Sequence, residues 1–125
     1  MLKDCRVQAM LPMADMDRAR AFYADKLGLT PSLELPLGLQ YECGNGTGFG
    51  LSSMSLKAAG HTQMAFVTDD LVAEMRELRS RGVVFADYES MNTVDGIADL
   101  GYLKAAWFKD SEGNTIGILQ LVAVR

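Results

Sequence analysis

Few side chains in this sequence could do chemistry on their own. Its one histidine, His61, has no second imidazole with which to form a ligand pair or an acid–base couple. It stands at the entrance to an apolar run and reads as a solvated linker residue. Ser52-Ser53 has no base near it in sequence, so a serine nucleophile is unsupported. Gly44-Asn-Gly-Thr-Gly48 is glycine-rich, but it opens a strand pattern and not a helix, so it is no phosphate loop. Glu34, Glu42 and Glu89 carry no signal beyond surface charge. Cys5 and Cys43 form no Cys-x-x-Cys pair and read as free buried thiols in a reducing cytosol. Amides and rings are left. Gln8, on the face of its strand with Arg6 and Met10, and Gln63, on that with Ala65 and Val67, each offer two donors and an acceptor. Trp107, the only tryptophan, stands among small residues, where it can serve as a stacking platform or simply fill core.

The composition bounds the class of protein. At 125 residues the chain is long enough for one domain with its own core. A net charge of −4 with no basic cluster argues against a nucleic-acid surface. No apolar run reaches membrane-spanning length and no signal-peptide core opens the sequence, so the expectation is a cytoplasmic protein with no membrane partner. Eight methionines suggest an adaptable interior or a cavity lined by soft side chains.

The elements that must position these residues follow from periodicity. Cys5 to Leu11 alternates as a strand that Pro12 ends. Asp15 N-caps a helix whose apolar stripe is Met16, Ala19, Phe22, Tyr23 and Leu27, stopped by Gly28. Leu29 to Leu35, Leu39 to Cys43 and Thr47 to Met54 read as strands, the last two joined by the Gly44-Asn-Gly46 turn. Ser55 to His61 reads as a linker. Thr62 to Thr68 is a fifth strand, with Met64 and Phe66 on one face and Gln63, Ala65 and Val67 on the other. Asp69 or Asp70 caps a second helix with a stripe of Leu71, Val72, Met75 and Leu78, stopped by Gly82. Val83 to Tyr88 is a sixth strand, and Ser90 to Gly101 is a long loop and a candidate lid. Tyr102 to Lys109 and Thr115 to Val122 are strands seven and eight, joined by the turn Asp110-Ser-Glu-Gly-Asn114.

This order repeats. Thirteen positions separate the capping Asp15 from Gly28, and thirteen separate Asp69 from Gly82. Each half then adds three strands and ends in an apolar-Gly-apolar triplet, Phe49-Gly50-Leu51 and Ile116-Gly117-Ile118. An internal repeat outranks single-segment readings as evidence of fold. The expectation is an α+β chain of two βαβββ modules, residues 1–54 and 61–125 of a single domain spanning 1–125. The two would form a curled mixed sheet around a shared cleft.

The paired modules, Leu11-Pro-Met-Ala-Asp-Met-Asp-Arg-Ala-Arg-Ala-Phe-Tyr23 with Leu27-Gly28-Leu29, and Phe108-Lys-Asp-Ser-Glu-Gly-Asn114 resemble the vicinal oxygen chelate superfamily. That superfamily holds glyoxalase I, the bleomycin resistance proteins, extradiol dioxygenases and fosfomycin resistance proteins. The resemblance implies a divalent metal held by His, Glu or Gln on matching strands of the two halves. Those positions fall here on Gln8, Gly50, Gln63 and Gly117. Two neutral amides and two glycines make a poor set for Zn²⁺ or Ni²⁺, so neither metal nor other cofactor is expected. Slipping the alignment onto Ser52 or Ser53 restores no carboxylate. By the same resemblance Trp107 faces the cleft with Leu103 and Ala105 beside it, and Phe108 packs under the helices.

The expected ligand site is therefore Gln8, Met10, Gly50, Gln63, Tyr102, Trp107, Gly117 and Leu119, with Met91, Ile97 and Leu100 able to line the rest. Inward Gln8 and Gln63 would bond each other, water or a ligand. The function this supports is binding of a mostly apolar, even aromatic, small molecule in a metal-free cleft, with no catalytic residue assigned. One alternative is a metal-dependent lyase or dioxygenase, lactoylglutathione lyase-like, whose ligands lie at other positions. Another is a structural or regulatory dimer with a filled cleft. A homodimer is expected, mostly from the resemblance.

Overall fold

The computed structural model describes residues 1–54 and 60–122. The first module runs β1 (Ala9–Pro12), α1 (Met16–Leu27), β2 (Leu33–Leu35), β3 (Gly38–Glu42) and β4 (Gly48–Ser52). The second runs β5 (Thr62–Val67), α2 (Leu71–Ser80), β6 (Ala98–Asp99), β7 (Leu103–Lys109) and β8 (Thr115–Leu121). Each folds a four-stranded mixed sheet, in the orders β1-β4-β3-β2 and β5-β8-β7-β6. Both place a parallel pair, β1 with β4 and β5 with β8, beside antiparallel hairpins. The repeat in the sequence is thus a repeat in topology, two βαβββ units without barrel closure.

Local chemistry sets the boundaries. The Asp15 carboxylate accepts from the Arg18 N–H at 3.0 Å and Asp70 accepts from Ala73 at 3.1 Å, so both helices open on aspartate caps. Gly28 closes α1 at φ +71°, a left-handed value that costs other residues strain. In the β3–β4 hairpin Asn45 and Gly46 both take positive φ, and Cys43 N–H bonds Thr47 O at 2.9 Å.

Several sequence expectations shift. Residues 5–8 lie outside the first strand, which begins at Ala9, and the second strand is only Leu33–Leu35. Val83 to Tyr88 is not a strand. Phe85 makes an isolated bridge to Phe108, and Ala98–Asp99 pairs with Ala105 and Lys104 further along β7. The outer edge of β7 is therefore shared between two short segments, with the 88–97 loop spanning the gap. Val72, expected in the α2 stripe, is half exposed, while Leu71 and Met75 are buried. Cys5 is exposed rather than buried, though both cysteines are free. The expected 55–61 linker falls largely on residues outside those described, and β8 stops at Leu121.

One hydrophobic cluster serves both modules. Ala19 and Tyr23 of α1, Leu71 and Met75 of α2, Leu51, Phe108 and Ile116 are all inside it. Phe49 of β4 meets Phe66 of β5 edge-to-face at 6.1 Å between centroids, so the helix-bearing sides of the modules pack together. The opposite, open face of each sheet keeps apolar side chains in solvent, with Met10 48%, Val67 70% and Leu121 56% exposed. No helix among the described residues is long and apolar enough to cross a membrane.

Candidate functional site

The open face of the first module gathers around Gly50. Its neighbours are Met10 on β1 and Gln40 on β3. A Cβ at Gly50 would lie 2.8 Å from the Met10 thioether and 2.9 Å from the Gln40 amide nitrogen. The Gln8 amide donates to Gln40 Oε1 at 2.6 Å and approaches Met10 Sδ at 3.3 Å. Gln8 is thus paired within its own module and not with Gln63, and Gln40 is the partner the sequence reading missed. Beside this cluster lies an apolar hollow of about 380 Å³ lined by Met10, Leu35, Leu37, Gln40, Leu51 and Met54, among others.

The open face of the second module gathers around Gly117. Trp107 stands directly across the β7–β8 ladder, and Ala65 flanks it on β5. A Cβ at Gly117 would meet Ala65 Cβ and Thr62 Cγ2 at 3.4 Å and Trp107 Cδ1 at 3.5 Å, ordinary contacts. Tyr88 and Trp107 meet edge-to-face, at 84° and 5.5 Å between centroids. The pair forms an aromatic corner over a floor of small residues. Leu119 continues the floor, opposite Ala105 and Val67. Lys109 Nζ bonds the Thr115 hydroxyl at 3.0 Å at its far end. Tyr102 lies before β7 and is mostly exposed, while Ile97 packs against the common core instead of lining the cleft.

Gln63 does not follow the alternation expected of its strand. Thr62 pairs with Thr115 and Met64 with the next residue, Ile116, so Gln63 is the extra residue of a β-bulge. The bulge brings Thr62, not Gln63, onto the face of Ala65 and Gly117. Gln63 Oε1 is buried without a hydrogen-bond partner.

The turn between β7 and β8 holds the modules in place. Asp110 Oδ2 accepts the Tyr23 phenol at 2.7 Å and the Asn114 amide at 2.8 Å, and Asn114 also donates to Pro12 O at 2.9 Å. Burial, then the Asp110 charge, pushes the Tyr23 phenol far above its usual range, so it stays a donor. Burial likewise pushes the Tyr41 phenol up to about 12. Glu112 Oε1 accepts from the N–H groups of Ala14 and Asp15, both at 2.8 Å, where α1 begins. Arg18 grips the same carboxylate with two nitrogens, at 2.8 and 3.1 Å. Burial alone would raise the Glu112 pKa. The Arg18 bond, the Asp15 N–H, the Ser111 hydroxyl and the Ala14 N–H outweigh it and bring it down to about 2.

The chain matches the model of the Glyoxalase/Bleomycin resistance protein/Dioxygenase superfamily over residues 6–118, and it belongs to that superfamily. Solved structures share the fold. A superfamily member from Sphaerobacter thermophilus is 21% identical at a TM-score of 0.75, over 96% of this chain and 99% of that one. TnmS3, an antibiotic binding protein from Streptomyces sp. CB03234, is 22% identical at 0.72, over 95% and 98%. The oxidase ChaP-H2 is 22% identical at 0.68, over 94% of each chain. No protein of curated function matches the sequence. At these identities the likeness is one of fold, and function has to come from the site.

The divalent metal implied by the family does not fit the residues at its positions. Gln8 is tied to Gln40 through its amide nitrogen, which leaves one neutral amide oxygen as its only possible donor to a metal. The Gln40 amide nitrogen and the Met10 thioether fill the space in front of Gly50, and Gly117 offers only backbone. An N–H donor and a thioether are wrong partners for Zn²⁺ or Ni²⁺. Among the described residues no three of His, Cys, Asp and Glu converge.

Proposed function

We propose that this chain binds a mostly apolar, ring-bearing small molecule on the open faces of its sheets, without a metal. The binding form is a homodimer in the cytoplasm, where Cys5 and Cys43 remain thiols. The observation that carries this reading is the corner of Trp107 and Tyr88 above Gly117, Ala65 and Thr62. A flat ring can stack on the indole face only if nothing bulky rises from the neighbouring strand, and Gly117 is the residue there. Leu119 and Tyr102 extend this wall. Gln8, Met10 and Gly50 supply a second, softer wall; Gln63, which the bulge takes off the Gly117 face, has no place in either wall.

The homodimer supplies what one chain leaves open. Met10, Val67 and Leu121 are apolar and solvent-facing on sheet faces that normally need a partner. A second copy laid across them sets the first-module face of one chain against the second-module face of the other. The two walls then enclose one cleft. Residues 1–125 act as one domain, with halves at 1–54 and 61–125.

Trp107 emission tests this. Titrated with polycyclic aromatic compounds, the protein should show saturable quenching that survives a chelator and is unaltered by added Ni²⁺ or Zn²⁺. Sedimentation should give a dimer. Flat titrations across aromatic and aliphatic panels alike, or a monomer that binds as tightly as a dimer, would sink the reading.

A further inference from the structure

A second cavity lies along the seam between the two modules, at the edge of β5. It occupies about 320 Å³ between the end of α1, the face of α2 and the free edge of β5. Leu27, Leu29 and Cys43 line it from the first module, and Phe66, Leu78 and Ile118 from the second. Of the open-face residues named above only Val67 is among them. It adjoins a hollow of about 440 Å³ that shares Cys43, Gly44, Phe66 and Val67 and runs on beside β1 to Ala9 and Gly48. Together they make an elongated trough along the seam between the modules, apolar in the middle and with Asn45 and Thr47 at the hairpin end.

Among the described residues one charged side chain lines the trough, Glu74 of α2. It is exposed, and no Lys or Arg among the described residues pairs with it. The nearby guanidinium of Arg81 is bonded to Glu77 at 3.1 Å and rests over Gly28, outside the lining. A trough with aliphatic and aromatic walls and a single unpaired carboxylate at its mouth suits a molecule with a cationic head and a slender apolar tail.

We propose that this seam is a second ligand site, selective for apolar primary amines, with Glu74 receiving the ammonium group. The apolar tail would lie between Leu27, Leu78 and Phe66 and continue toward Ala9. Because both modules line it, an occupant bridges them, and its binding energy adds to the cohesion of the seam. Burial of apolar surface gives most of the affinity, and the carboxylate gives the choice of head group. The trough shares Ala65 and Val67 with the open face but none of Trp107, Tyr88, Gly117 and Leu119, so Cys43 protection and Trp107 quenching report on the two sites separately.

Cys43 is a built-in reporter, since its thiol lies in the wall, and exposed Cys5 lies outside the lining and serves as internal control. The test is site-resolved alkylation of the native protein with iodoacetamide, followed by mass spectrometry, with octylamine, octanol and octanoate as probes. Octylamine should slow Cys43 labelling at least several-fold and leave Cys5 unchanged. Octanol should need about threefold more, from loss of one exposed charge pair, and octanoate should protect least. Glu74→Gln should erase the difference between octylamine and octanol, and Leu78→Trp should remove protection by all three. Three outcomes overturn the proposal. One is a Cys43 rate unmoved by octylamine, and another is protection by octanoate equal to that by the amine. The third is a Cys43 that labels only when the dimer dissociates, which would mean that a second copy already covers the seam.

Discussion

The phenol of Tyr23 donates to Oδ2 of Asp110 over 2.7 Å, joining the middle of α1 to the turn between β7 and β8, 87 residues away. Both groups are buried. The same carboxylate also takes the Asn114 side chain and the N–H groups of Glu112 and Asn114. Replacing Tyr23 by Phe keeps the ring that packs, tilted, against Tyr41 and Phe49 and removes only this bond. A buried carboxylate losing its one phenol should cost about 1–3 kcal/mol. Urea denaturation should show a lower midpoint with an unchanged slope. A midpoint equal to wild type would mean that the modules do not depend on this link.

Glu112 makes the same junction sensitive to acid. Its carboxylate titrates at about 2 in the fold against an ordinary value of 4.5. A pKa lowered by folding contributes stability that is whole above the unfolded value and is lost as pH falls through the folded one. The loss should therefore fall between pH 4.5 and 2, and, with solvent screening discounted, amount to about 1–2 kcal/mol. Glu112→Gln should flatten the wild-type decline in thermal midpoint across that window. A decline of the same steepness in the variant would assign the acid sensitivity elsewhere.

Most of the architecture was legible because it was written twice. The caps at Asp15 and Asp70 and the stop at Gly28 each have one cheap conformation, and the structure adopts it. The superfamily followed from the repeat and its signature segments. What failed to show was long-range or irregular. Nothing in Val83 to Tyr88 says that β7 has its edge shared between Phe85 and Ala98. The bulge that turns Thr62 toward Gly117 has no glycine or proline to mark it. Gln40 could have been found. Counting back three residues on each strand from the Cys43–Thr47 closing pair of the hairpin lands it opposite Gly50. The Glu112–Arg18 grip was hidden because a glutamate in a turn looks like any surface charge until the other module is beside it.

Gly117 offers a direct test of the aromatic corner. Ala at this position should be tolerated within about 1 kcal/mol, because its Cβ would meet neighbours no closer than 3.4 Å. Leu would project across the Trp107 face. Gly117→Ala should keep both fold and Trp107 quenching, while Gly117→Leu should keep the fold and weaken binding at least tenfold, about 1.4 kcal/mol. Equal binding by both variants, measured by fluorescence titration with circular dichroism as the check on folding, would move the ligand off Trp107.

The 88–97 loop is held to α2 by Arg79, whose guanidinium lies 5.2 Å from the centre of the Phe85 ring and donates to Asp95 O at 2.7 Å. Within this loop Asn92 and Asp95 take positive φ, and Asp87 accepts from the Gly96 N–H at 2.8 Å. The loop therefore pays local backbone strain that the Arg79 contacts offset. Tyr88, at its start, is the residue that meets Trp107. Arg79→Met keeps the aliphatic stem over Phe85 and removes both the charge and the donor. Hydrogen exchange should then quicken for the amides of 94–97 by about fivefold or more, equivalent to about 1 kcal/mol of local opening, with global stability little changed. Trp107 emission should shift red as Tyr88 loosens and water reaches the indole. If exchange quickens while the emission stays fixed, the latch holds the loop without governing the aromatic corner, and the candidate lid does not act on the site.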